Sequence, residues 1–420
     1  MNAHLLCLLA LTLGGAAVAQ AQDSTAQVSG QFSGQLRGLW DTQQANTGGP
    51  AAQANTLRAG VVPLSDNALV TEAELRASGK GITGVFTLQF QHQDAGTTDT
   101  GNKAWVNELY ASHDAGAWQF SAGKKIVAWD VGYGFRPNDM VQQETRRALV
   151  SSTPEGRPLL VAEHFDASTA WSVVWVQPTA SAAAPGAQEP ALAGRVYQRN
   201  GAADWYGFAR VGAHSGAGAG AALAWVANEA LELHGSVRYA GQMDNQVINP
   251  GSPALSASNP WQPGTVRHVS QALVGGTWTH ESQLSLLAEA WFDGSAPSDA
   301  QWDNWAQHNH QIGTLATLGA PAAAVAGNLA WQAQALGYSQ NLRRSNVYAR
   351  LSWQKDAWQP ALDMLYTPAD RGRVVTAALT WQGDRVQVQG SWRAYGGPAD
   401  AVMAQLPSHQ LANVTLTWAF

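Results

Sequence analysis

Apolar and polar residues alternate with a period of two through most of this chain of 420 residues. The alternation is clearest in the runs 28–40, 69–78, 231–239 and 347–353. Because successive side chains of a β-strand point to opposite faces, each run predicts a strand with one apolar and one polar face. An amphipathic helix would instead repeat its apolar residues at spacings of three and four. The pattern therefore predicts an all-β protein.

The connections between roughly 18 to 20 strand-like runs alternate between short and long. Short turns are predicted at 79–81, 114–116, 228–229 and 280–282. Long connections are predicted at 41–66, 94–103, 129–157, 241–267 and 294–326. The least regular runs lie near 158–166 and 311–319. Pro360 falls inside a predicted strand, which is a departure from the pattern because proline cannot donate a hydrogen bond to a neighbouring strand.

The composition narrows the class of protein. Charged residues make up 13% of the chain and the mean hydropathy is -0.19, with 42 glycines and 19 tryptophans. The charged fraction is too low for a typical soluble surface, and the mean hydropathy is too polar for a helical membrane protein. A membrane barrel resolves the conflict because its outer face is apolar and its inner face is polar. Several tryptophans lie near the ends of the runs, where aromatic belts meet the membrane surface: Trp40, Trp118, Trp278, Trp353, Trp381 and Trp418.

The last ten residues alternate up to an aromatic carboxy-terminus, with Val414, Leu416, Trp418 and Phe420 on one face. Here the chain resembles the Gram-negative outer-membrane β-barrels of the porin type, in which such a final strand is the assembly signal. The resemblance implies a transmembrane, antiparallel, up-and-down barrel of about 18 strands, within a range of 16 to 20, with short periplasmic turns and long external loops. It also implies contact with outer-membrane lipid and the barrel-assembly machinery, and it allows a homo-oligomer.

The amino-terminal segment differs from the rest of the chain. Residues 1–21 lack charged side chains, carry an apolar run and end in small residues, which predicts a secretory signal peptide. The single cysteine, Cys7, lies within it. Since no change in composition divides the remainder, we expect residues 22–420 to form one transmembrane barrel domain.

The polar face of the runs predicts charged residues on the inner face of the barrel: Arg37, Glu72, Glu74, Arg76, Glu108, Arg210, Arg238, Arg350 and Arg393. Rows of opposite charge across a pore select solutes by sign and size. The alternative is that these residues pair with one another and only solvate the lumen. On the same pattern, an arginine at outward Leu233 is expected to be costly and one at inward Ser236 to be tolerated.

The densest group of charges follows a predicted strand, between 123 and 147. We expect these residues to form the pore constriction, because in many porins a long early loop folds inward: Lys124, Lys125, Asp130, Arg136, Asp139, Glu144, Arg146 and Arg147. An ordinary external loop is the alternative. A second group, Trp302, Trp305, His308 and His310, offers chemistry for a sugar or a metal, although the cap of a surface loop is the favoured explanation.

The function implied by the resemblance is a channel for passive or facilitated diffusion of small hydrophilic solutes, with selectivity set by the inner charges and an inward-folded loop. The alternatives are a barrel hydrolase, or a closed structural or binding barrel. The chain contains no Gly-x-Ser-x-Gly, phosphate-loop or His-Glu-x-x-His motif, so we expect no catalytic site, metal or cofactor. The net charge of -6 argues against a pore for anions only or for polyanions, and we expect no nucleic-acid partner.

Overall fold

The structure is a computed structural model that describes residues 30–63, 67–93, 101–143, 154–181, 188–248, 251–337 and 339–420. The predicted signal peptide and three of the predicted constriction residues, Glu144, Arg146 and Arg147, lie outside the described residues.

Eighteen β-strands form a single sheet. They are β1 Gly30–Ala45, β2 Asn67–Gly79, β3 Ile82–Gln93, β4 Lys103–Ala115, β5 Trp118–Lys125, β6 Arg157–Phe165, β7 Thr169–Val176, β8 Ala191–Asn200, β9 Ala203–Gly212, β10 Gly216–Asn228, β11 Leu231–Ile248, β12 Trp261–Thr279, β13 Leu284–Asp293, β14 Ser345–Trp353, β15 Trp358–Thr367, β16 Gly372–Gln382, β17 Val386–Gly396 and β18 Ser408–Ala419. Each strand pairs antiparallel with the next along the chain, so the predicted up-and-down topology and the strand number of 18 are confirmed.

The sheet closes between its first and last strands. β1 pairs with β18 in a register that places Gln35 opposite Ala419 and Trp40 opposite Val414. The carboxy-terminal residue takes part in the closure, because the Phe420 and Gly34 backbones exchange two N–H to O bonds of 3.0 Å. The phenyl ring of Phe420 lies so close to Gly34 that a Cβ atom there would be 2.5 Å from it. Closure leaves no strand edge in the membrane, where an unpaired backbone group would be expensive.

The two faces of the sheet carry different side chains, as the alternation predicts. Large apolar residues point outward and are exposed on the isolated chain, including Phe32 at 67%, Val274 at 65% and Val237 at 55%. Ser172, Gln271 and Asn346, in contrast, lie on the inner face and are buried. An apolar band surrounding a polar interior is the arrangement of a barrel that faces lipid.

The two ends of the barrel differ. One end carries short turns and both ends of the described chain, and we call it the short-turn end. At the opposite long-loop end lie three α-helices, α1 Gly49–Leu57, α2 Asp299–Thr317 and α3 Ala322–Gln334. α2 begins with a capping box, because Ser298 Oγ accepts a bond from Gln301 N at 3.3 Å and Gln301 Oε1 accepts one from Ser298 N at 2.8 Å. None of the described helices combines the length and apolarity needed to span a membrane.

The structure corrects two predicted segments. The run near 311–319 belongs to α2, since the apolar residues of that helix also satisfy part of a two-residue pattern. The connection predicted at 241–267 is mostly strand, because β11 and β12 stay paired from Leu231 opposite Trp278 to Ile248 opposite Trp261. The other irregular run, near 158–166, is β6.

Pro360 is accommodated within β15 without loss of the barrel. The pairing of β15 with β14 ends at Ala361, whereas its pairing with β16 continues through Pro360 opposite Leu379. At Pro360 the strand is therefore paired on one side only, and proline is tolerated where a strand behaves as an edge.

We expect Val237→Arg to lower the free energy of unfolding by about 2–4 kcal/mol, because Val237 lies on the outer face near mid-height of β11. Urea-induced unfolding in lipid vesicles measures the change. Gln35→Arg is the control, since Gln35 lies on the inner face opposite Glu74 and should tolerate a cation. Equal destabilisation by both variants would contradict the assignment of the two faces.

We expect Phe420→Asp to impair assembly, because a carboxylate would replace the ring that packs on Gly34 and lies 5.1 Å from the Trp418 ring. The heat-modifiable folded fraction in outer-membrane preparations gives the measurement. Phe420→Tyr, which retains an aromatic ring, serves as the control. A normal folded fraction for Phe420→Asp would show that the terminal ring is dispensable.

Candidate functional site

Residues 126–143, which follow β5, enter the barrel and pack on its inner face; we call them the inner loop. Its Trp129, Met140 and Val141 are buried in a cluster with Val174 of β7 and Phe208 of β9. Further along the loop, the buried ring of Phe135 packs in a second cluster with inner-face residues of β12 and β13. Burial of these apolar groups fixes the loop against about half of the barrel wall.

Asn138 and Asp130 fasten the middle of the inner loop to β11. Asn138 Nδ2 donates to Ser236 Oγ at 2.7 Å, and Ser236 Oγ donates to Asp130 Oδ2 at 2.9 Å. Asp130, whose φ of 95° lies in the left-handed region, also accepts a 2.6 Å bond from Asn138 N. Burial raises the pKa of the Asp130 carboxyl despite these bonds, which lower it. At Gly220 a Cβ atom would lie 1.8 Å from Asn138 Oδ1, so only glycine leaves room for this contact.

Glu289 of β13 is a further anchor of the inner loop, and its side chain is completely buried. Its two carboxylate oxygens accept bonds from the backbone N–H groups of Tyr133 at 2.6 Å and Gly134 at 2.7 Å. Glu289 Oε1 also lies 2.9 Å from His234 Nε2, and His234 Nδ1 lies 3.1 Å from Glu232 Oε2. The buried carboxylate thus fixes two consecutive residues of the loop to the wall.

Two of the predicted inner arginines also hold the loop. Arg210 donates to the carbonyl of Met140 and, at 3.0 Å, to Glu189 Oε1. Arg238 Nη1 donates to the carbonyl of Pro137 at 2.8 Å. Burial disfavours the charge of Glu189, but its bonds from Ser215, the His214 backbone and Arg210 outweigh burial and lower the pKa of its carboxyl. Both arginines lie on the inner face, and each donates to one backbone carbonyl of the loop.

Most of the other predicted inner charges lie on β1–β4 and β17, the part of the wall that we call the charged wall. There Arg37 is paired with Glu72, Arg76 Nη2 lies 3.3 Å from Glu108 Oε2, and Glu74 is opposite Gln35. Arg393 Nε of β17 donates to Thr376 Oγ1 at 2.9 Å. Between the loop and this wall, Arg350 of β14 pairs with Asp363 of β15 at 3.1 Å.

The structure separates the predicted constriction residues into two groups. Lys124 and Lys125 end β5, where Lys124 pairs with Glu155 and Lys125 Nζ lies 5.1 Å from the centre of the Tyr110 ring. The other described members, Asp130, Arg136 and Asp139, belong to the inner loop. Arg136 Nε donates to the carbonyl of Gly132 at 2.8 Å, and Asp139 is buried.

Several residues that position the loop were missed by the sequence pattern. Asn138, Glu189 and Ser236 carry no signal in the alternation that distinguishes them from other polar residues. The alternation does place His234 on the polar face of a predicted strand, between Glu232 and Ser236, but it gives no sign of the contact with Glu289. The expectation that arginine is tolerated at Ser236 is wrong, because its hydroxyl is buried between Asn138 and Asp130.

The helices α1, α2 and α3 pack together at the long-loop end and form what we call the helical cap. Ala54 of α1, Ile312 of α2, and Val325 and Leu329 of α3 share one buried cluster, and Leu255 from the β11–β12 loop packs against it. α1 follows β1, and Leu255 lies between β11 and β12, so the cluster joins chain segments from nearly opposite parts of the strand order.

The predicted tryptophan and histidine group lies in α2 of the cap. Trp302 and Trp305 are buried and pack edge to face with ring centres 5.3 Å apart, so they belong to the interior of the cap. His310 is exposed, whereas burial lowers the pKa of the half-buried His308 imidazole. The described residues contain no cluster of three or more metal-ligating side chains.

Comparison with solved structures identifies the fold. OccAB1 of Acinetobacter baumannii aligns over 96% of this chain and 99% of its own, with 10% identity and a TM-score of 0.56. The fold is that of a porin-type outer-membrane β-barrel. Wzi of Escherichia coli, described as a carbohydrate-binding β-barrel involved in group 1 capsule assembly, aligns over 92% of this chain and 84% of its own, with 10% identity and a TM-score of 0.51. No protein-family model and no curated protein matches the sequence.

We expect Glu289→Gln to lower the free energy of unfolding by about 1.5–3 kcal/mol, the range for hydrogen bonds to charged groups. The amide keeps one acceptor oxygen but places an NH₂ group against a backbone N–H of the loop. Thermal unfolding in detergent and proteolysis within residues 126–143 measure the effect. Glu232→Gln is the matched control, because the partly exposed Glu232 contacts His234 and not the loop. Equal loop protection in both variants would rule out this role of Glu289.

Proposed function

We propose that the protein is an outer-membrane channel for the diffusion of small hydrophilic solutes. The observation that carries the proposal is the inner loop, which lies inside the lumen and packs against one part of the wall. Barrels of 16 to 18 strands enclose an aqueous channel unless a loop or plug fills it. A loop held by buried ion pairs and apolar clusters narrows such a channel to a fixed cross-section.

Selectivity in this proposal comes from the charges that border the narrowed lumen. Arg37, Glu72 and Glu108 of the charged wall lie at about mid-height of their strands, as do the pair Arg350 and Asp363. Fixed charges act strongly in a narrow space of low dielectric constant, whereas salt with a Debye length of about 8 Å screens exposed charges. Selection between cations and anions therefore takes place where the inner loop and the charged wall face each other.

The membrane environment follows from the same proposal. The exposed apolar band would contact outer-membrane lipid, and the final strand, with Val414, Leu416, Trp418 and Phe420, would be recognised by the barrel-assembly machinery. The alternating strand faces are those of a lipid-facing barrel. We assign no catalytic role to the protein.

A closed binding barrel is the second candidate, and the helical cap favours it. Its apolar cluster joins α1, α2 and α3 at the long-loop end, where a cap can restrict access to the lumen. Wzi, which has the same general fold, is described as carbohydrate-binding. A closed barrel would bind its ligand without conducting ions.

Planar-bilayer recording of the refolded protein decides between the two candidates. A channel gives discrete conductance steps, and absence of steps together with a folded, heat-modifiable barrel would reject the proposal.

We further expect the double variant Arg37→Gln and Arg393→Gln to raise the preference of the channel for cations. The double variant Glu72→Gln and Glu74→Gln should raise its preference for anions. Reversal potentials in a salt gradient report both changes. Asp303→Asn, on the exposed face of α2, is the control and should leave the reversal potential unchanged.

A further inference from the structure

The facing surfaces of α2 and α3 form a seam inside the helical cap. On α2 the buried residues Trp302, Trp305 and Ile312 recur at spacings that place them on one side of a helix. Val325 and Leu329 do the same on α3 and share a cluster with Ile312. Trp305 Nε1 donates to the carbonyl of Gln332 at 3.1 Å, which fixes the two helices side by side.

Two amide side chains interrupt this otherwise apolar seam. Asn309 lies one turn beyond Trp305 on α2 and is 9% exposed, while Gln332 lies on α3 and is 0% exposed. Neither the oxygen nor the nitrogen of either amide has a hydrogen-bond partner within the described part of the chain. Each amide offers two donor hydrogens and an acceptor oxygen. Buried polar groups in folded proteins are nearly always paired, so these two amides require a partner of matching chemistry.

The surroundings of the two amides determine the charge of that partner. The three helices contain no lysine or arginine, and their carboxylates are Asp299 and Asp303. Asp299 is paired with Arg343 at 3.1 Å, and Asp303 is exposed. His308 Nε2 is also buried without a partner, and burial keeps its imidazole neutral by lowering its pKa. A charged ligand would lack a counter-ion here, and burying an unpaired charge is far more costly than burying a hydroxyl.

Aromatic rings supply the other part of the site. Trp305 precedes Asn309 by one helical turn on α2, and its indole Nε1 is bonded to the backbone carbonyl of Gln332 on α3. Rings of this kind cover the apolar faces of a ligand while amides bind its polar edge. A sugar has both an apolar face of C–H groups and a rim of hydroxyls that can donate and accept.

We propose that the α2–α3 seam is a binding site for an uncharged polyhydroxy solute of the hexose class, whose hydroxyls pair with the amides of Asn309 and Gln332. The inference rests on the proposed function in one respect, because a solute entering the barrel from the long-loop end would meet the cap first. Binding requires the two helices to separate and close again around the solute.

Isothermal titration of the full-length, refolded protein in detergent tests the site, with glucose and maltose as uncharged probes and gluconate as the charged counterpart of glucose. We expect saturable binding of the uncharged sugars and none of gluconate. Asn309→Leu and Gln332→Met remove the amides with little change in volume, and each should weaken binding about tenfold or more. Their unfolding temperatures should be unchanged or raised, because an unpaired buried amide is lost. Asn304→Leu, at an exposed position of α2, is the matched control.

Hydrogen exchange on the wild-type protein provides a measurement that needs no variant. Glucose should protect backbone amides around 305–309 and 328–332 and leave those of the inner loop unchanged. Absence of this protection would overturn the proposal. Three calorimetric results would also overturn it: binding of gluconate equal to that of glucose, unaltered glucose binding by both variants, or heats of dilution alone, which mean that only water occupies the seam. The result is independent of conductance. Binding without conductance rejects the channel and keeps the site, whereas conductance without binding does the reverse.

Discussion

A sheet that spans a bilayer must leave no backbone N–H or C=O unpaired in hydrocarbon, and the rest of this structure depends on that constraint. The chain meets it by returning its last strand to its first, with Phe420 bonded to Gly34 at the end of the register. Once the sheet is closed, each strand has one face in lipid and one in the lumen. The polar face can then carry ion pairs and a folded loop that would have no place in an open sheet.

The interior is organised by a few buried polar groups that bond the backbone of the inner loop. Glu289 and Asp130 accept backbone N–H groups of the inner loop, and Arg210 and Arg238 donate to its carbonyls. Each of these bonds is directional, so together they fix the loop more narrowly than apolar packing alone would. The amides of the cap seam lack such partners.

The sequence allowed the barrel to be predicted because a period of two is a local property. Runs such as Leu231–Tyr239 contain their own evidence for two faces, and the strand number follows from counting them. The alternation predicts a loop over 294–326, although this region contains α2. The helical spacing of its apolar residues is obscured by short stretches of alternation. The length of β11 and β12 was underestimated, since their polar outer portions leave the membrane and lose the apolar face that marks a strand.

The site was less predictable because it depends on contacts between residues far apart in the chain. The alternation correctly gives Ser236 a polar face, yet it cannot indicate that Asn138 fills the space in front of it. The charged segment after β5 was identifiable from its density of charges. Its anchors on β9, β11 and β13 were not, because a carboxylate that solvates a lumen and one that binds a loop look alike in a sequence.

The charged wall has a consequence for the order in which the interior is completed. Its strands are β1 to β4 together with β17, so its residues come from both ends of the chain and are brought together across the β1–β18 junction. The inner loop is bonded to β4 at its first residue, where Ile126 N donates to Glu108 Oε1 at 2.9 Å, but its apolar residues pack on strands that follow it in the chain. The side of the lumen that holds the inner loop can therefore form while the sheet is still open. The opposing charges face this loop only after β1 has paired with β18. The complete lining exists only in a barrel that no longer offers a free edge to another chain.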